Sequence, residues 1–167
     1  MGAQKQNYTH VVHTFGPLYN EDSRILILGS IPSPASREVG FYYGHPQNRF
    51  WKMLADLYGM PLPESIEEKK VLVLSHGLAL WDVIEECDII GASDSSVKNV
   101  VPTDIPSLLS RTQIQAILCN GALSKRIYDR FQLPRIGIPA QKMPSTSPAN
   151  AAWSLERLKE EWGKALL

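Results

Sequence analysis

The clearest indication of this chain's architecture is the run Arg24-Ile-Leu-Ile-Leu-Gly29, in which uninterrupted apolar residues lie between a charged residue and a glycine. A short apolar run without polar alternation predicts a strand that is buried on both faces. Ile114-Gln-Ala-Ile-Leu-Cys119 has the same character and ends at Asn120-Gly121, while residues 137–143 are a weaker third candidate. Strands of this kind are typical of the centre of a parallel sheet.

Helical patterns separate these strands. Apolar residues at Phe50, Met53, Leu54 and Leu57 recur at helical spacing and predict an amphipathic helix that begins near His45. Further helices are predicted after Ser65, over 105–109, from Gly121 to about Phe131, and from Trp153 to Leu166, whereas 77–84 is open between a helix end and a strand.

Alternation of strands with helices predicts an α/β fold. We expect a three-layer sandwich whose central, mainly parallel four-stranded sheet is flanked by helices. No internal repeat or linker divides the chain, so residues 1–167 are predicted to form a single domain.

Composition narrows the functional classes. The 17 basic and 17 acidic residues give zero formal net charge, which disfavours a protein that coats long stretches of nucleic acid but leaves a small DNA footprint open. The cysteines Cys87 and Cys119 form no C-x-x-C, so we predict no disulfide, no metal site and no cofactor. The acidic residues are interpreted as solvated helix faces.

The expected location is the cytoplasm. The N-terminal stretch MGAQKQNYTHVVHTFG lacks the apolar core of a signal peptide. No apolar run approaches the roughly 20 residues that span a bilayer. We therefore expect no membrane association.

Three loops are predicted to meet beyond the carboxyl ends of the strands, where parallel sheets bind ligands. They cover residues 29–48, Asn120-Gly121 and residues 143–150, and they are rich in Gly, Pro, Ser and Asn. The first loop is long and aromatic, and long loops in compact domains are usually functional.

The loops also carry a family resemblance. The run Tyr42-Tyr-Gly-His-Pro-Gln-Asn-Arg-Phe-Trp51 is similar to the F-x-H-P-x-N-R-F-W segment of mismatch-specific uracil-DNA glycosylases. Together with Gly29-Ser-Ile-Pro-Ser33 and Pro144-Ser-Thr-Ser-Pro-Ala-Asn-Ala151, it resembles more closely the hypoxanthine-DNA glycosylase branch of the uracil-DNA glycosylase superfamily. This resemblance covers nearly the whole chain and implies a base-excision repair enzyme that acts on damaged DNA, single- or double-stranded, as a monomer associated with the nucleoid.

The resemblance implies that Asn48 is catalytic. Ile31 stands where the mismatch-specific relatives have a water-positioning asparagine, and the hypoxanthine branch assigns that role to the asparagine that Asn48 matches. An amide oxygen can orient a water by accepting its hydrogen bond. In the predicted first helical turn, Asn48 would also lie where backbone N–H groups favour anions. The alternative is a structural helix-start residue.

Other candidates follow from the same motifs. Asn120 could read the base edge or share the water, or be a left-handed turn residue. Tyr43 matches the aromatic on which the flipped base stacks, with core packing as the alternative. His45 is assigned to the base-binding set, although a structural N-cap or loop role is favoured over acid catalysis. The predicted base-binding residues are Gly29, Ser30, Ile31, Pro32, Tyr43 and His45.

The loop from Pro144 to Pro148 resembles the superfamily's second motif, which enters the minor groove and grips phosphates. Residues 146–149 are predicted to fill the gap that the flipped base leaves, and Ser147 could also cap a helix. The predicted DNA-binding residues are Ser33, Pro144, Ser145, Thr146 and Ser147.

Two other classes compete with this hypothesis. A non-catalytic nucleotide-binding module is disfavoured because the chain has no G-x-G-x-x-G or G-x-x-x-x-G-K-[ST] motif. A serine hydrolase that uses Ser30 or Ser33 is disfavoured because no G-x-S-x-G is present. Among glycosylases the base stays open between hypoxanthine, uracil opposite guanine, and xanthine.

Overall fold

A computed structural model describes residues 7–167, so the first six residues of the N-terminal stretch quoted above lie outside the described residues. Its central sheet contains β2 (Ile25–Gly29), β3 (Leu78–Asp82), β6 (Ala116–Asn120) and β7 (Gln141–Met143). The strand order is β3-β2-β6-β7 and every neighbouring pair is parallel. The predicted four-stranded sheet is confirmed, with β2 in its interior.

Both faces of the sheet are covered, as the apolar runs predict. Successive residues of β2 point to opposite faces, so Ile27 packs with one apolar cluster and Leu26 and Leu28 with the other. The first cluster includes residues of α2 (Phe50–Leu57), α3 (Ile66–Leu74) and α7 (Leu155–Leu166); the second includes residues of α4 (Ile105–Ser110) and α5 (Ala122–Ile127). Helices on both faces give the predicted three-layer sandwich.

Side-chain caps begin three of these helices. Ser65 accepts a hydrogen bond from the Glu68 backbone N–H at the start of α3, and Asp104 and Ser154 do the same for α4 and α7. The predicted helix start after Ser65 and the predicted helix start at residue 105 are confirmed.

Two helix boundaries differ from the prediction by more than two residues. The helix α2 begins at Phe50 rather than near His45, because the Asn48 N–H donates to the His45 carbonyl and closes a turn over residues 45–48. The Asn48 side chain then accepts from the Phe50 N–H. The helix after Gly121 extends beyond Phe131: α5 passes through a π-helical turn (Tyr128–Gln132) into α6 (Leu133–Ile136) and ends at Gly137, whose φ is +76°. Only the last three residues of the predicted strand 137–143 form β7.

A second, antiparallel sheet was not predicted. It contains β1 (Thr9–Val12), β4 (Ile84–Ile89) and β5 (Lys98–Pro102) in the order β1-β4-β5. The ambiguous stretch 77–84 becomes β3 and the start of β4. The remaining elements are a short helix α1 (Pro34–Val39) and a 3₁₀ turn (Asp94–Ser96).

Within residues 7–167, no helix is long and apolar enough to cross a membrane. Cys87 and Cys119 are both buried free thiols.

Candidate active site

A cavity of about 200 Å³ opens at the carboxyl edge of the central sheet. This is several times the roughly 30 Å³ that one water molecule occupies, so the cavity has room for a much larger group. It is lined by the ends of β2, β3 and β6 and by all three loops singled out above. A more open concavity at the amino-terminal edge, near Arg24 and Lys70, contains none of the predicted site residues.

The structure brings most of the predicted site residues to this one cavity. The predicted residues that line it are Gly29, Ser30, Ile31, Pro32, Ser33, Tyr43, Asn48, Asn120, Ser145, Thr146 and Ser147.

Two predicted residues lie elsewhere. His45 is exposed, and its ring Nδ1 accepts a hydrogen bond from the Gln47 backbone N–H at 3.1 Å. It therefore has the loop role rather than an N-cap role, and it lies outside the cavity lining. Pro144 also lies outside the cavity lining, and its carbonyl accepts a hydrogen bond from the Trp162 indole at 3.0 Å.

Hydrogen bonds through Thr146 join the three loops. The Thr146 hydroxyl donates to Oδ1 of Asn48 at 2.8 Å and accepts from Nδ2 of Asn120 at 3.1 Å. The Thr146 backbone N–H donates to Oδ1 of Asn120 at 3.1 Å. Because Thr146 is completely buried in this network, its side chain is not exposed to enter DNA, and gap filling stays a prediction for residues 147–149.

These contacts fix the amide of Asn48. Its Oδ1 accepts hydrogen bonds from the Phe50 backbone N–H at 3.0 Å and from Thr146, so both lone pairs of the oxygen are used. In this conformation the amide oxygen has no lone pair left for the water that the sequence hypothesis assigned to it. Asn48 also lies two residues before α2, not in its first turn as expected. What Asn48 can offer the cavity is its N–H donors.

Asn120 is held equally firmly. Both ends of its amide bind Thr146, and its φ is not in the left-handed region. The left-handed role belongs instead to Gly121, with φ +95°. The turn-residue alternative for Asn120 is therefore excluded.

Arg49 holds the loops together, and sequence reasoning missed it. Its guanidinium donates to the carbonyls of Ser147 at 2.8 Å and Asn150 at 3.1 Å and also to that of Trp153. Its backbone N–H donates to the Thr146 carbonyl at 3.1 Å. A guanidinium carries five N–H donors in one plane, so a single side chain can bind several backbone carbonyls of the loop at once.

Tyr43 combines packing with exposure to the cavity. Its ring stacks on that of Phe50 at 4.2 Å between centroids, and it also lines the cavity. Its φ of +51° is rare for a large side chain and is typical of functional sites. Burial, reinforced by the Asp82 carboxylate, raises the pKa of the Tyr43 phenol well above its usual range. The neighbours Phe41 and Tyr42 are the core pair.

The serines of the site cap turns. Ser33 accepts from the Ser36 backbone N–H at 3.2 Å and begins α1. Ser145 accepts from the Ser147 N–H at 3.1 Å, and Ser147 accepts from the Ala149 N–H at 3.2 Å. The helix-cap alternative for Ser147 is wrong, since Ser154 caps α7.

A buried carboxylate in the cavity wall was missed by the sequence interpretation. Asp82 ends β3 opposite Gly29, is only 4% exposed and lines the cavity. Its Oδ2 lies 2.7 Å from Nε2 of the buried His13, which follows β1 of the unpredicted sheet. The interpretation of the aspartates as solvated helix faces is thus wrong for Asp82. The two residues are 69 positions apart, so no local pattern could pair them.

Gly29 provides the space for this carboxylate. A Cβ at Gly29 would overlap Oδ1 of Asp82 and lie 3.3 Å from the Tyr43 hydroxyl. Within residues 7–167, the buried Tyr43 hydroxyl and Nδ1 of His13 have no hydrogen-bond partner. The site therefore holds buried polar atoms beside an open space, as expected where a polar ligand binds.

Comparisons with known proteins agree with this geometry. Residues 17–166 match the family model of the Uracil DNA glycosylase superfamily. The chain is 32% identical over 149 residues to a Methanosarcina acetivorans protein named Hypoxanthine DNA glycosylase, covering 89% of this chain and 93% of that one. It is 31% identical over 153 residues to the Methanosarcina barkeri protein of the same name, covering 90% and 95%.

The fold comparison gives the same result. The solution NMR structure of a Methanosarcina acetivorans protein, itself described only as a candidate uracil DNA glycosylase, superimposes with a TM-score of 0.76 at 31% identity. The match covers 91% of this chain and 94% of that one. The chain belongs to the uracil DNA glycosylase superfamily. Its enzyme class is DNA glycosylase.

Proposed function

We propose that this protein excises hypoxanthine from DNA by flipping the base into the cavity and hydrolysing its N-glycosidic bond. The observation that carries the proposal is the cavity where the three loops meet, with Tyr43 and Asn48 in its wall. The names of the two Methanosarcina relatives favour hypoxanthine as the base. Such an activity starts base excision repair. Uracil opposite guanine, or xanthine, is the alternative substrate.

The cavity suits an everted base. An aromatic face binds any nucleobase by stacking, and Tyr43 is held rigidly from behind by Phe50. Asn120, beside Tyr43, carries an amide that can take part in reading the base edge. Ile31 and Pro32 add apolar wall, which excludes bulk water from the bound base.

Asn48 is the catalytic candidate, acting through its N–H groups. Departure of the base leaves an oxocarbenium-like sugar and negative charge on the purine ring. Fixed N–H donors stabilise such developing charge because they need no reorganisation during the reaction. The bonds from Phe50 and Thr146 supply that fixation.

The serines at the rim are the proposed phosphate contacts. Ser33, Ser145 and Ser147 line the cavity and are only partly buried. The hydroxyl oxygens of all three serines already accept backbone N–H groups, so the O–H groups of Ser145 and Ser147 are potential donors to phosphate oxygens. The Ser33 O–H donates to Oγ of Ser36 at 3.1 Å and would have to exchange that bond for one to phosphate. The Thr146 backbone is held between them.

No lysine lies in the first loop, so we expect no Schiff base and a monofunctional enzyme. We further propose that residues 1–167 act as one glycosylase domain and as a monomer on nucleoid DNA in the cytoplasm.

The proposal is tested with duplex and single-stranded oligonucleotides that carry one hypoxanthine, uracil or xanthine. The pure protein is expected to produce alkali-labile abasic strands from the hypoxanthine substrates and to release free hypoxanthine. Failure to release any of the three bases would contradict the proposed function.

Asn48 is tested by two substitutions. Asn48→Ala should lower the single-turnover excision rate by about 10²–10³-fold, which is the usual loss for one fixed donor to a developing anion. Asn48→Asp keeps an acceptor oxygen for Phe50 and Thr146 but removes the N–H donors, so it should retain the fold and still lose excision. Wild-type rates in Asn48→Asp would exclude the proposed role of the N–H groups.

A further inference from the structure

We infer that Asp82 is the group that accepts the proton of the attacking water and that His13 positions it. The inference rests on the proposed glycosylase function and assigns a further catalytic residue to the same cavity. Its starting point is that hydrolysis needs a proton acceptor, and the oxygen of Asn48 is already occupied.

Asp82 lies in the cavity wall, where a group that accepts the proton of the attacking water is needed. Among residues 7–167, the carboxylates that line the cavity are Asp82 and Asp94, and Asp94 is exposed at the rim. Asp82 is buried at the carboxyl end of β3, beside Gly29 and the Tyr43 ring system on which the base would stack. A carboxylate near C1′ also stabilises the positive charge of the sugar in the transition state.

His13 holds one oxygen of the Asp82 carboxylate, Oδ2, and leaves the other, Oδ1, available to a water. An ionised carboxylate only accepts hydrogen bonds, so Nε2–H of His13 donates to Oδ2. Within the described chain, Oδ1 takes no hydrogen bond; it lies on the Gly29 side, where the missing Cβ leaves room. His13 is itself fixed, because its backbone N–H donates to the Glu85 carbonyl at 2.7 Å and its ring packs edge-on against Phe15.

The reaction balances with one water. The C1′–N bond breaks and its electron pair leaves with the base, while the water oxygen bonds to C1′. The water proton passes to Oδ1 of Asp82. The departing base takes a proton from solvent, and Asp82 returns its proton to solvent. Asp82 is therefore a catalytic residue and His13 a positioning residue.

The test compares Asp82→Asn with Asp88→Asn on a hypoxanthine duplex under single-turnover conditions. Asp88 also binds a histidine, His10, at 2.7 Å, but on the exposed face of the small sheet. Loss of a general base costs about 10²–10⁴-fold in rate. We expect that loss in Asp82→Asn, with DNA affinity not weakened, and wild-type rates in Asp88→Asn.

A rescue measurement separates chemistry from structure. Formate added to Asp82→Ala supplies a small carboxylate to the vacated space and should raise its excision rate in proportion to concentration, without accelerating the wild type. A purely structural role predicts no rescue, together with parallel losses of DNA affinity and thermal stability.

The outcomes are distinguishable. If the wild type excises hypoxanthine and Asp82→Asn does so at an undiminished rate, or if formate does not rescue Asp82→Ala, the inference is overturned while the proposed function stands. If the wild type excises none of the three bases, the proposed function and the role of Asp82 are both contradicted.

Discussion

Two histidine–aspartate pairs in residues 7–167 have the same 2.7 Å separation and opposite surroundings. The side chains of His13 and Asp82 are 1% and 5% exposed, whereas those of His10 and Asp88 are 53% and 25% exposed. Both histidines come from the same N-terminal segment. The comparison shows that a contact distance alone does not define the setting of a pair: the first lies at the carboxyl edge of a parallel sheet beside a cavity, and the second lies on the exposed face of the antiparallel sheet.

The largest difference between the pairs is expected in stability. His13→Leu leaves the Asp82 carboxylate buried without its partner, and breaking a buried pair in this way costs about 3–5 kcal/mol. His10→Leu removes an exposed contact that solvent screens, so its unfolding midpoint should shift far less. Urea unfolding of the two variants measures the difference. Equal unfolding curves would show that burial does not distinguish the pairs.

A smaller perturbation moves the carboxylate without removing it. The Cβ of Gly29→Ala would displace Oδ1 of Asp82, and overpacking of this kind costs about 1–3 kcal/mol. A misplacement of about 1 Å at a reacting group can cost about 100-fold in rate. We therefore expect a folded protein with a strongly reduced single-turnover excision rate.

Gly16→Ala is the matched control, because nothing lies within 4 Å of a Cβ at that position. It should excise at the wild-type rate. If both glycine variants kept full activity, the position of Oδ1 would not matter for the reaction.

The smallest effect concerns the exposed pair. The hydrogen bond to Asp88 raises the pKa of the His10 imidazole above 6.5, and hydrogen bonds from Asn99 and then His10 lower the pKa of Asp88 below 3.8. The stabilisation from His10 is complete below pH 6.5 and is lost as pH rises through its raised pKa. The stabilisation of the folded protein by Asp88 is complete above pH 3.8 and is lost as pH falls through the lowered pKa of Asp88.

An NMR titration of His10 should therefore have its midpoint above 6.5 and should move towards 6.5 in Asp88→Asn. The excision rate of that variant should not change. If the titration midpoint of His10 is the same in Asp88→Asn as in the wild type, the exposed pair does not form in solution.

The sequence predicted the central sheet because β2 and β6 are short apolar runs that can be buried only by helices on both faces. It did not predict the antiparallel sheet. The strand β4 has charged residues at Glu85, Glu86 and Asp88, and its partner β1 is mostly exposed, so neither shows a clear apolar pattern. Because His13 follows β1, missing that sheet also meant missing the buried pair.

The candidate site was predicted in position but not in detail. Glycines, prolines and asparagines after the strands identified the three loops, yet the direction of the Asn48 amide depends on Phe50 and Thr146. The second of these donors is 98 residues away, and Arg49 reaches across a similar distance to the same loop. Such long-range hydrogen bonds leave no local signal in the sequence.

The most direct test of the central claim is a crystal structure of the protein bound to a duplex that carries one 2′-fluoro-2′-deoxyinosine, whose glycosidic bond resists hydrolysis. We predict that the hypoxanthine lies in the cavity against Tyr43 with Asn48 donating to it, and that one water lies between C1′ and Oδ1 of Asp82. A base that remains stacked in the duplex, or one that occupies the cavity with Asp82 turned away from the sugar, would contradict this account.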